Sequence, residues 1–83
     1  MANKILARVL AGSGDANIRF VDLRDLLLSL GFSERTRGGH HIFASHGVDE
    51  IVNLQPKGSQ AKPYQVKQVR NVILRYGLGK ETE

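Results

Sequence analysis

Apolar positions along the chain follow a helical period, give way to strand-like runs in the middle, and return to a helical period near the end. Residues 3 to 11 carry Ile5, Leu6, Val9 and Leu10, spaced by one, three and four, which predicts a short amphipathic helix. The polar, glycine-containing stretch Gly12-Ser13-Gly14-Asp15-Ala16-Asn17 closes it and predicts a flexible loop or a loosely attached N-terminal arm. From residue 20 to 30, Phe20, Leu23, Leu26, Leu27 and Leu30 form one stripe. Asp22 suits the positive end of the helix dipole, and Gly31 suits the left-handed position that ends a helix. Arg24, Asp25 and Ser29 take the other side of this second helix, whose leucines are expected to be core.

After Gly31 the pattern predicts three strands, at residues 32 to 37, 40 to 45 and 50 to 55, rich in β-branched or aromatic residues. Gly38-Gly39 predicts a tight two-residue hairpin turn, and His46-Gly47-Val48-Asp49 a looser one. Residues 56 to 62 form a loop with cations and turn formers. Pro63 then suits the first position of a last helix, in which Val66, Val69, Ile73 and Tyr76 recur at three and four before Gly77. Gln65, Lys67, Gln68, Arg70, Asn71 and Arg75 are left for its outer side. The expected fold class is therefore α+β: helix, three-stranded antiparallel sheet, helix, with both helices on one face of the sheet, as in double-stranded-RNA-binding domains. The expected organisation is an N-terminal helical extension and loop over residues 1–19, one domain over 20–77 and a mobile tail over 78–83.

Charge adds a direction to this scaffold. The net charge is +4, but it is uneven: Arg35, Arg37, Lys57, Lys62, Lys67, Arg70 and Arg75 face only Asp49 and Glu50 between residues 35 and 75, a surplus of five. Such a segment fits a polyanionic partner or a solvated surface. There is no cysteine, so neither disulfides nor thiolate metal sites supplement the small core. The apolar residues near the N-terminus are too few and too interrupted by charge for a signal sequence. No apolar run approaches the roughly 20 residues of a membrane span, so a soluble cytoplasmic protein is expected.

Candidate chemistry concentrates in residues 35 to 43, where Arg35, Arg37, Gly38, Gly39, His40 and His41 lie together. No nucleophile elbow accompanies Ser45 or Ser59, and no Walker-type loop is present. Asp49-Glu50 sits in a turn, and adjacent histidines on a strand point to opposite faces, which argues against a metal site at His40, His41 and His46. No metal or other cofactor is expected. Metal-independent RNA cleavage suits what remains. The 2′-hydroxyl attacks phosphorus while losing a proton, the 5′-oxygen leaves while gaining one, and cations stabilise the charge built between. Histidine suits the proton transfers, and arginine or lysine the charge. Alternation leaves open which histidine is the functional one. If Ile42 points to the core, His40 lies at the edge of the core face and His41 on the open face, where it would meet RNA. The plain structural alternative is one half-buried and one solvated strand histidine.

Leu30-Gly31-Phe32, the basic residues after it, Gly39-His40-His41-Ile42-Phe43, and Pro56-Lys57 before a closing helix resemble the HicA toxins of bacterial toxin–antitoxin systems, over about residues 20 to 77. Asn53-Leu54-Gln55-Pro56-Lys57-Gly58 with Lys62-Pro63-Tyr64-Gln65-Val66 is similar to a subgroup with an N-terminal extension. The resemblance implies a small mRNA endonuclease with a double-stranded-RNA-binding-like fold, neutralised by a HicB-type antitoxin. It implies His40 as the catalytic residue; on their charge and position, Arg35, Arg37, Gly39, His41, Lys57 and Lys62 are expected to contact RNA. Gly39 stands where the family usually has serine, removing a hydroxyl that would orient the histidine or bind phosphate. Gly58-Ser59 follows Lys57 where many members have a histidine. A non-catalytic RNA-binding module is the alternative reading, and a basic face complementary to an acidic antitoxin is compatible with both.

Overall fold

The computed structural model describes residues 4–79. Its elements are helix α1 (Lys4–Ala11), a 3-10 turn (Asp15–Asn17), helix α2 (Phe20–Ser29), strands β1 (Ser33–Arg37), β2 (His40–Ser45) and β3 (Val48–Leu54), and helix α3 (Pro63–Tyr76). The strands pair antiparallel in the order β1-β2-β3, which gives the α-β-β-β-α layout expected from the sequence, with α1 added in front.

One face of the sheet carries the core. Phe43 of β2 and Val52 and Leu54 of β3 are fully buried, as are Leu23 and Leu27 of α2 and Val66 and Val69 of α3. Each such side chain contributes about 1.5–3 kcal/mol on leaving water, so Phe43, which lies opposite Glu34 on β1 and Val52 on β3, ties the middle strand to the helices. Both long helices end on the predicted glycines. Gly31 has φ +97°, and Phe32 N–H donates to Leu27 O at 3.1 Å while Gly31 N–H donates to Leu28 O at 3.1 Å. Gly77 has φ +63°, and Leu78 N–H donates to Ile73 O at 3.0 Å. In each case a glycine in the left-handed region lets the next apolar residue turn back onto the core.

Four expectations change. The N-terminal segment is not a loose arm: Val9 and Ile18 are fully buried and Ile5 and Leu6 pack on the core. Arg8 Nη2 donates to Asn17 O at 2.8 Å, while Arg70 Nη1 reaches Val9 O at 3.1 Å and Asp15 Oδ1 at 2.9 Å. The polar connection is thus fixed by Arg70, which points inward from α3 rather than outward. Gln65 is likewise inward, at 5% exposure. Its side-chain oxygen accepts from Gln55 N–H at 3.1 Å and its amide donates to Asn53 O at 3.4 Å, so it pairs with the outer edge of β3 as a further strand would.

The second hairpin turn is tight. Ser45 pairs with Val48 across His46-Gly47, Gly47 takes φ +83°, and Val48 and Asp49, assigned to a looser turn, belong to β3, which bulges between Val48 and Val52. Finally, Leu78 packs against the core and Gly79 is buried, where an added Cβ would meet Leu6 Cδ2 at 2.9 Å. The tail therefore does not begin at 78. Its remaining residues, 80–83, and residue 3 of the first predicted helix lie outside the described residues.

Candidate nucleic-acid interface

Because Phe43 points to the helices, alternation along β2 sends His41 the same way and His40 to the uncovered face. This reverses the placement that an inward Ile42 would give. His41, expected to be exposed, has a side chain only 23% exposed. Its ring lies against Phe20 with centroids 4.7 Å apart, and its Nδ1 is 2.7 Å from Glu34 Oε2. His40 is exposed, and its Nδ1 is 3.1 Å from Asn53 Oδ1 on β3. The Glu34 carboxylate only accepts, so His41 Nδ1 carries the hydrogen, whereas the Asn53 amide has both an acceptor and a donor, and His40 Nδ1 donates to it where Oδ1 faces the ring.

Glu34 is the most constrained acid among the described residues. Its side chain is 12% exposed and accepts from Arg24 Nε at 2.8 Å as well as from His41. Burial alone would raise its carboxyl, but the hydrogen bonds from His41 and Arg24 and the charges behind them outweigh burial and hold it below the ordinary value. This group anchors the start of the sheet to α2, and it orients His41 as a carboxylate orients an acid–base histidine.

On the open face, register groups the other candidates in rows. Arg37 lies opposite His40, and Arg35 lies opposite Ile42, which is opposite Asn53. The turn joining β1 to β2 needs only one of its glycines. Gly38 has φ +59°, whereas Gly39 is outside the left-handed region, and a Cβ there would meet Gln55 Nε2 at an ordinary 3.5 Å. A serine at this position is therefore sterically admissible, and its absence is not dictated by the turn.

Gln55 connects the hairpin to the loop of residues 56 to 62, since its Oε1 accepts from Lys62 Nζ at 3.3 Å. That loop is itself built. Lys57 and Gln60 exchange backbone hydrogen bonds of 2.9 and 3.1 Å around Gly58 at φ +62°. Ala61 N–H donates to Ile18 O at 2.8 Å, and Phe20 N–H donates to Ser59 O at 3.0 Å. The N-terminal segment thus braces the loop that carries Lys57.

Arg37, Gly39, His40 and Lys62 are brought to one end of the domain, and the chain beyond β3 places Lys57 on the adjoining loop. Arg35 is one step further along β1, and His41 is on the other face. Among the described residues Arg35, Arg37 and Lys57 make no ion pair, whereas Arg70 pairs with Asp15 and Arg75 with Glu50. The basic surplus is therefore partly internal.

Sequence reasoning missed Asn53, Gln55 and Glu34 as partners of the histidines and of Lys62. Assigning Phe43 to the core would have found Asn53 and Glu34, because strand register follows from that choice. No helix among the described residues is long and apolar enough to cross a membrane. Comparison with protein-family models, curated proteins and solved structures gave no match for the chain.

Proposed function

We propose that the protein is a HicA-type toxin, an endoribonuclease that cleaves mRNA and so inhibits translation, with His40 as its general acid or base. The observation that carries this reading is a solvated histidine, paired with Asn53, on an uncovered sheet face beside Arg37 and next to the loop that holds Lys57 and Lys62. In this reading Nε2 of neutral His40 accepts the proton of the 2′-hydroxyl as its oxygen attacks phosphorus. The P–O5′ bond breaks, the leaving 5′-oxygen takes a proton from water, and the 2′ and 3′ oxygens are left in a cyclic phosphate. Arg37, Lys57 and Lys62 stabilise the charge on the non-bridging oxygens, and Arg35 holds the chain further along the sheet. A HicB-type antitoxin would act by covering this positive face, for which an acidic surface is complementary.

Expression in a bacterium without an antitoxin tests the reading. Growth arrest is expected, and His40→Ala, a solvated substitution, should relieve it without loss of soluble protein. The Glu34–His41 pair favours a second assignment of the proton-transfer group, because a carboxylate-oriented histidine is the usual form of a general base. Relief by His41→Ala in a folded protein, with His40→Ala still toxic, would move the role to His41. RNA binding without cleavage by the purified protein would instead favour the non-catalytic module.

A further inference from the structure

Next to the hairpin is an open cleft of about 520 Å³ lined by Gln55, Pro56, Lys57, Lys62, Pro63 and Tyr64. Its size falls within the range of sites that hold small organic groups. We infer that this cleft binds one unpaired nucleotide of a single-stranded RNA, its base stacked on Tyr64 and its phosphate held by Lys57 and Lys62. The inference rests on the RNA reading above and deepens it, because Tyr64 has no role there.

Three features select this occupant. Tyr64 is 65% exposed, whereas Phe20, Phe32, Phe43 and Tyr76 all belong to or pack on the core. Its ring nevertheless has a fixed neighbour, since Gln65 Nε2 donates to the phenol oxygen at 3.4 Å and Gln65 is itself buried and bonded to β3. Two proline rings flank it and limit how the walls can move. The lining contains two ammonium groups and no carboxylate, so it suits a ligand that is both planar and anionic. A nucleobase with its phosphate is such a ligand. Aromatic stacking combined with backbone cations is how unpaired strands are held, because stacking needs a base face that a duplex hides. Lys62 Nζ is positioned by Gln55 Oε1, and Gln55 Nε2 faces Gly39, so the cleft continues the strand path that reaches His40.

The test uses the full chain and a short single-stranded RNA with 2′-O-methyl groups throughout, which can bind but cannot be cleaved. Tyr64→Ala should weaken binding about tenfold or more, with the salt dependence unchanged, while Tyr64→Phe should stay within about twofold. Lys62→Ala should lower the slope of log affinity against log salt by about one. In Tyr64→Trp, binding should quench the indole fluorescence. Equal affinity of Tyr64→Ala and the unchanged protein would overturn the inference. So would equal competition by duplex RNA, or displacement of indole-quenching RNA by an acidic peptide at lower concentration. Tyr64-dependent binding of an unmodified RNA that stays intact would remove the nuclease reading and leave the cleft. His40-dependent cleavage with an unchanged KM in Tyr64→Ala would do the reverse.

Discussion

His40 and His41 differ by one position in sequence and by an entire environment in the fold, which strand alternation makes unavoidable once Phe43 is buried. The sequence could pair each histidine with its face-mates but could not say which face was the core, since Ile42 and Phe43 are both apolar. Volume and contact decide it: the larger Phe43 fills the space against the helices, and Ile42 is left half-covered. The same choice brings Glu34 under His41, and this has a measurable consequence. The folded state holds the Glu34 carboxyl below the ordinary 4.5, so the unfolded chain binds that proton more tightly. Ionised Glu34 therefore stabilises the fold above that pH, and the contribution is lost as pH falls through the lower, folded-state value. Thermal midpoints from pH 6 to pH 3 should fall more steeply for the unchanged protein than for Glu34→Gln. Parallel curves would show that Glu34 carries no such linkage. Gly39 is also a residue-scale matter. That glycine stands here where HicA toxins usually have serine was visible in the sequence, but that the backbone there has no need of glycine was not.

The elements themselves were largely legible, because their signals are local. Apolar spacing placed α1, α2 and α3, and the glycines after α2 and α3 stopped them through the same left-handed geometry. The first hairpin was equally legible from Gly38-Gly39. What composition misjudged was attachment, because a polar, glycine-containing linker gives no sign of a partner 55 residues away in the chain. Arg70 supplies that partner by bonding Asp15 and the carbonyl of Val9, and the backbone of Ile18 and Phe20 in turn braces the loop bearing Lys57. Gln65 eluded the helical-wheel reading for a similar reason, since its role is to satisfy the edge of β3. Arg70→Ala should then cost about 1–3 kcal/mol, read as a thermal midpoint lower by several degrees, because a part-buried charge-assisted pair is broken. The salt dependence of RNA binding should be unaltered. If that slope fell by about one, Arg70 would be contacting RNA instead.

At the scale of the whole molecule, helices cover one sheet face and leave the other to solvent, so the domain has one structural side and one available side. Cations that the sequence grouped by position are thereby sorted: Arg70 and Arg75 are paired internally, while Arg35 and Arg37 remain on the available side with His40. The fold class followed from element order. The proposed function rests on a resemblance to a family, because no spacing of residues in the chain specifies what an open sheet face will bind. Chain cleavage is the claim on which the whole reading depends. The most direct measurement is incubation of the purified protein with a 5′-labelled single-stranded RNA, with separation of the products and identification of their ends. Discrete fragments ending in 2′,3′-cyclic phosphate are predicted, with the rate reduced about 100-fold or more in His40→Ala while its thermal midpoint is unchanged. Intact RNA at concentrations that saturate binding, or equal cleavage by His40→Ala, would contradict the account.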